Sequence, residues 1–153
     1  MADRFKVVIV GRSKNKWANA AVEDYTKRLR RHGGVSETAV KVEPFKGDVD
    51  HVRRAEGERI RKTAGSGVLI VLDERGERLD SRAFSKLVDK CRQKGTVVLA
   101  LGGAYGHSDD TRKAADRVVR LSDMVVNHEV ARVMLYEQLY RAMTLLSGAP
   151  YHH

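Results

Sequence analysis

The sequence predicts an α/β fold, a parallel sheet covered by helices on both faces. Three observations carry this. The runs RFKVVIVG (4–11), GVLIVLD (67–73) and TVVLALGG (96–103) are continuously apolar rather than alternating, as in strands buried on both faces. Segments of helical period separate them, which is the βαβ pattern. The chain has no internal repeat, no low-complexity segment and no linker, and its only prolines are Pro44 and Pro150. All 153 residues therefore read as one domain, 1–153.

The elements follow in order. The run 4–11 is a strand closed by glycine. Residues 16–32 place Trp17, Ala21, Tyr25 and Leu29 at steps of four, one helical face, and Gly33-Gly34 end that helix. VSETAVKV (35–42) reads as a second, partly exposed strand. Asp48 or Asp50 is placed to cap a helix to about Lys62 that is poor in large apolar residues and rich in arginine. The run 67–73 is the next strand. Ser81 begins a helix with Phe84, Leu87, Val88 and Cys91 inward. After the strand 96–103 come a short helix around Asp109–Ala115 and a short strand near Val118–Leu121. The longest helix, about Glu129–Ser147, carries Val130, Val133, Met134, Tyr136, Leu139, Tyr140, Met143 and Leu146. That apolar surface is wider than one stripe and suits a helix covered on two sides, by the sheet and by a second subunit.

Charge points to a partner. Lys and Arg number 29 against 20 Asp and Glu, a net charge of +9, and such an excess favours a polyanion, nucleic acid above all. Residues 1–66 hold 16 basic and 9 acidic residues, so +7 of the +9 lies in the first half. No apolar run nears the ~20 residues that span a bilayer. The N-terminus reads as a strand rather than a signal peptide, and the single Cys91 excludes an intrachain disulfide. The expected location is cytoplasmic, with no membrane.

Ligands of open parallel sheets bind outside the C-terminal strand ends. Three ends qualify: Leu72-Asp73-Glu74 with Gly76, Leu101-Gly102-Gly103 with Gly106, and Leu121 to Val126. Three glycines within five positions, 102–106, read either as a turn or as a place where a ligand meets bare backbone. There is no Walker loop and no dinucleotide fingerprint after the first strand. No G-x-S-x-G elbow occurs. None of His32, His51, His107, His128, His152 and His153 pairs at helical metal-ligand spacing, so no metal is expected.

The segments LIVLDERGERLDS (69–81), LALGGAYGHS (99–108), LSDMVVNHEVARVMLYEQLYRA (121–142) and PYHH (150–153) resemble the bacterial ribosomal RNA large subunit methyltransferase H family. The resemblance runs the whole length and is strongest from residue 67 onward. It implies the SPOUT class of S-adenosylmethionine-dependent methyltransferases, with a C-terminal trefoil knot and a homodimer. It implies methyl transfer to N3 of a pseudouridine in 23S rRNA, in the helix-loop at the subunit interface of the assembled 70S ribosome. Position by position, the cofactor pocket would be Leu72, Gly103 and the run Leu121, Ser122, Asp123, Met124, Val125, Val126. A branched side chain at Gly103 is expected to fill space the cofactor needs.

The sulfonium methyl is activated by the cofactor itself. The protein must align N3 with the methyl and help an imide N–H lose its proton. Arg141 and His152 are the catalytic candidates, with Glu137 and Arg132 as neighbours. Glu137 and Arg141 share a helical face at i, i+4 and form either a site pair or a plain salt bridge. Tyr151 is placed to stack on a base or to pack. His107 is expected at the pocket rim and His128 in a structural role. The family commonly has another basic residue where this chain has His153. Lys27, Arg28, Arg30, Arg31, Arg53, Arg54, Arg59, Arg61 and Lys62 are expected to contact rRNA phosphates. Two rival readings stand beside this one: a non-catalytic RNA-binding protein of the same fold, and a SPOUT methyltransferase acting on another RNA.

Overall fold

The computed structural model describes residues 3–153; residues 1–2 of the expected domain lie outside the described residues. The chain forms β1 (Phe5–Val10), α1 (Lys16–Leu29), β2 (Val35–Val40), α2 (Val49–Ala64), β3 (Val68–Arg78), α3 (Ser81–Arg92), β4 (Val97–Leu101), α4 (Asp109–Ala114), β5 (Arg117–Arg120) and α5 (His128–Ser147). A single turn of 3-10 helix, Arg30–His32, follows α1. The five strands pair in the order β2-β1-β4-β3-β5, all parallel. The α/β expectation is met, element by element.

The three continuously apolar runs take the three central positions. Phe5, Val7, Val8, Ile70, Val71, Val97, Leu99 and Ala100 have no exposed surface. Each β-branched side chain there meets a helix on its own side of the sheet. On one face α5 packs between α1 and α3, over a cluster that includes Val22, Leu29, Phe84, Leu87, Val88, Leu135 and Leu139. On the other, α2 packs with α4 over Val8, Ile60, Val71, Val98 and Ala100.

One expectation changes here. The inward face of α1 is Ala18, Val22, Tyr25 and Leu29, while Trp17 is 54% exposed. A row at steps of four drifts about 40° per step around a helix, so its first member has left the face. The helices α1 and α2, which carry most of the basic residues of the first half, pack on opposite faces of the sheet. Lys27 pairs with Glu23, Arg28 with Asp24, Arg59 with Glu43, and Arg61 donates to Thr111 Oγ1.

β3 runs six residues beyond its apolar part, which ends at Leu72. Leu72 and Glu77 both pair with Val119, and Arg78 pairs with Arg120. Residues 73–76 leave the ladder between them, so β5 is bracketed by two parts of one strand. Gly76 is required by this crossing: a Cβ there would lie 2.6 Å from the main-chain N and C of Val119. Arg117 donates both Nε and Nη2 to Glu77 at 2.7 Å, and Arg120 Nε donates to Gly76 O at 3.1 Å.

Candidate active site

The three strand ends meet. A cleft of about 520 Å³ lies over β3 and β4, lined by Leu72, Asp73, Leu101, the loop Gly102–His107, Val126 and Ala131 among others. A smaller hollow of about 160 Å³ shares Leu72, Asp73, Glu74, Leu101, Val126 and Ala131 with it, and adds Leu121, Ser122, Met124 and Val125. Leu72, Gly103, Leu121, Ser122, Met124, Val125 and Val126 are thus brought together around one space.

Asp123 is the exception. Its carboxylate accepts from Arg78 (2.9 and 2.6 Å) and from Arg120 Nη1 (2.9 Å). The hydrogen bond from Arg78, then that from Arg120, hold its pKa down to about 2. The side chain clamps the loop after β5 and leaves only main-chain groups for a ligand. Met124 and Val125 are 78% and 87% exposed, apolar side chains left uncovered at the mouth of the hollow.

Each glycine of the loop has its own reason. Gly106 takes φ +80, a left-handed conformation that favours glycine, and its N–H donates to Gly103 O at 3.0 Å to close the turn. A Cβ on Gly102 would sit 3.0 Å from the main chain of Gly106, and one on Gly103 would sit 2.5 Å from Glu56 Oε1 and 3.2 Å from Val10 Cγ1. The missing side chain of Gly103 makes room for a buried carboxylate beneath the loop, so a branched residue there meets Glu56 first. Sequence reasoning missed Glu56. It is 3% exposed, and Oε2 accepts from the Glu43 N–H at 3.1 Å while Oε1 has no partner among the described residues. Burial pushes its carboxyl pKa up. A lone Glu at an inward position of a polar helix was the only available signal.

His107 is not at the rim; it is 4% exposed and lines the cleft. Neither ring nitrogen has a hydrogen-bond partner of ordinary geometry among the described residues, although the carbonyls of Ala100 and Leu72 lie beside the ring. Burial lowers its pKa despite nearby Asp73, so the imidazole is neutral at pH 7. Arg112 anchors this corner, donating to Asp73 Oδ2 at 3.1 Å, to His107 O at 2.9 Å and to Asp109. Arg53 Nε donates to Tyr105 O at 2.7 Å and fixes the loop from α2.

Arg141 and His152 are brought together, but away from the cleft. Arg141 donates Nη1 to His152 Nδ1 at 3.0 Å, and Nε and Nη2 to Glu137 at 3.2 and 2.7 Å. Tyr151 O–H donates to Glu137 Oε2 at 2.8 Å, and the guanidinium lies 4.7 Å from the Tyr151 ring centroid. The Glu137–Arg141 pair is therefore part of a four-residue cluster that ties the tail to α5. Burial opposes ionisation of Glu137, but Arg141, Tyr151 and Gln138 outweigh it and hold its pKa low. Arginine cannot accept a hydrogen bond, so His152 accepts at Nδ1 and carries its proton on Nε2. Ala131 lines the cleft and Arg141 lies ten residues further along α5, about 15 Å along the axis. None of the four lines the cleft.

A parallel sheet whose strand ends converge on a glycine loop and a clamped return segment is the framework of a methyltransferase of the SPOUT class. The family model described as "Predicted SPOUT methyltransferase" matches residues 4–152. A probable methyltransferase from Bordetella pertussis shares the fold, with TM-score 0.55 at 15% identity over 92% of this chain and 96% of that one. Ribosomal RNA large subunit methyltransferase H of Pelobacter propionicus is 42% identical over 98% of this chain and 99% of its own length. Those of Geobacter metallireducens and Trichlorobacter lovleyi are 39% and 38% identical over the same shares. The chain belongs to the ribosomal RNA large subunit methyltransferase H family. It is a methyltransferase and its cofactor is S-adenosylmethionine.

Proposed function

We propose that this chain methylates N3 of a pseudouridine in 23S rRNA, on assembled 70S ribosomes in the cytoplasm, as a homodimer of single-domain subunits spanning 1–153. The convergence of the three strand ends on one cleft carries the reading. The relatives' activity on large-subunit ribosomal RNA supports the class of RNA, and the net charge of +9 suits it. No helix among the described residues is long and apolar enough to cross a membrane.

The residues present fit the cofactor. The cleft, about 520 Å³, falls within the ordinary range for ligand pockets, about 300–1,000 Å³, and the hollow beside it adds about 160 Å³. His107 offers two unpartnered ring nitrogens in its wall. Leu72, Gly103 and residues 121–126 would hold the cofactor, which supplies an activated methyl group. A buried neutral His107 and an apolar Leu72, Leu101 and Val126 keep water from that methyl.

Proton removal needs a group that stabilises charge on the imide. Arg141 holds His152 with Nε2–H free to donate, and donation to an imide oxygen favours the deprotonated ring. His152 therefore acts as a donor beside a fixed cation. Because this cluster lies about 15 Å along α5 from the cleft of its own chain, the reading places it at the cleft of the second subunit. The exposed Met124, Val125 and Val130 support such a contact. The bracketing of β5 by β3 supports a trefoil knot, with residues 121–127 threaded beneath the 73–80 segment.

The test is incubation with labelled S-adenosylmethionine and either 70S ribosomes lacking the modification or protein-free 23S rRNA. One methyl on a 23S pseudouridine, with 70S strongly preferred, is expected. Efficient methylation of free rRNA overturns the 70S assignment, and methylation of another RNA overturns the substrate. Absence of S-adenosylmethionine binding returns the chain to a non-catalytic RNA-binding role.

A further inference from the structure

A second cavity, about 550 Å³, opens over the C-terminal ends of β1 and β4. It shares Leu101, Gly102, Asn127 and His128 with the cofactor cleft, so the two are neighbours across one wall. We propose that this cavity receives the target nucleotide, a uridine-type base turned out of its RNA helix with its phosphate at the rim. The inference rests on the methyltransferase reading above and adds the place of the acceptor.

Three observations carry it. The first is adjacency. A methyl acceptor must come within contact of the donor, about 3–3.5 Å, and this is the large cavity with a wall in common with the cleft on the β1 side. The second is the lining. Ile9, Val10, Val42 and Leu101 give apolar surface for a ring, while Ser13, Asn15 and Asn127 give polar groups above it. A flipped base is gripped by this combination, apolar contact on its faces and hydrogen bonds on its edge. The third is charge. Arg12 and Lys14 stand exposed at the rim, and neither has an ion-pair partner among the described residues. A pair of unneutralised cations at the mouth suits a phosphate.

The back of the cavity is rigid. Ser13 Oγ donates to Glu129, and Asn19 Nδ2 donates to Ser13 O at 3.1 Å. Arg132 Nη1 donates to Asn19 Oδ1 at 2.8 Å. The loop 11–15 is thereby tied to α5, the same helix whose first turn forms the shared wall. All hydrogen-bonding edges of Arg132 that face inward are engaged by Glu37 and Asn19, so it positions the wall and leaves the reading of the base to the loop.

Uridine 5′-monophosphate is the probe, added to protein saturated with S-adenosylhomocysteine and followed by backbone amide shifts. Saturable shifts at Gly11–Asn15 are expected in wild type. They should vanish in Val42→Trp, which fills the mouth from an exposed position, and persist in Val42→Ala. In the same Val42→Trp protein, S-adenosylhomocysteine affinity should stay within about twofold while methyl transfer falls about a hundredfold. Shifts confined to the arginine-rich surface of α2, no shifts with S-adenosylhomocysteine bound, or full transfer by Val42→Trp each overturn the cavity. Failure of wild type to bind S-adenosylhomocysteine overturns the methyltransferase reading on which it stands.

Discussion

Glu37 on the edge strand β2 and Arg132 in α5, 95 positions apart, form a two-point ion pair with Nε and Nη2 at 2.9 and 2.8 Å. The Arg132 side chain is 6% exposed, and Tyr136 O–H donates to the same carboxylate at 2.8 Å. Removing one partner leaves a buried charge without compensation, which costs about 3–5 kcal/mol. Glu37→Ala should lower unfolding free energy by that amount in urea titration, and Tyr136→Phe by about 1 kcal/mol. A loss below about 1 kcal/mol for Glu37→Ala would show that water reaches the guanidinium.

Gly103 and Glu56 should be coupled. Gly103→Ala places a methyl 2.5 Å from Glu56 Oε1 and should cost about 1–3 kcal/mol, the scale of overpacking. Shortening the side chain in Glu56→Ala removes the obstacle. The double variant should therefore be more stable than the sum of the singles by about 1 kcal/mol or more. Strict additivity would separate the two sites.

His107 sets an acid-side slope. Burial depresses its pKa in the folded state, while the unfolded chain takes up the proton near the ordinary value of about 6.5. The unfolded state thus binds more protons below that pH, and stability falls as pH drops. Urea titrations at steps from pH 8 to pH 5 should show this loss in wild type and a shallower one in His107→Gln. Equal slopes would remove His107 from the account.

Much of this was legible. Continuous apolar runs placed all three central strands, and Asp48 does cap α2 through the N–H groups of Asp50 and His51. The cleft was found from strand ends alone. The length of β3 was not, because residues 73–78 are largely exposed and charged and their pairing depends on a strand forty positions later. Arg132, expected beside Arg141 and His152, instead pairs with Glu37 and Asn19, and Glu56 and Glu129 were hidden for a related reason. Periodicity finds apolar faces, and these are charged groups on inward faces whose partners lie on other elements.

The tail should act across subunits. Arg141→Ala should bind S-adenosylmethionine within about twofold of wild type yet transfer methyl about a hundredfold more slowly. Val126→Trp should block the cleft and leave the tail intact. Mixing the two variants and allowing exchange should restore transfer, since one of the two sites then pairs a sound cleft with a sound tail. Mixtures as inactive as their parents would place the tail at the cleft of its own chain.

The bracket around β5 has a further effect on solubility. β5 is the last strand of the sheet, and a terminal strand with unpaired N–H and C=O groups is a template for ladder growth between molecules. Glu77 and Arg78 occupy that outer edge at Val119 and Arg120. The last two residues of β5 are thus covered on that side by their own neighbouring strand. Among the described residues, β2 is the longer open margin where another strand could add.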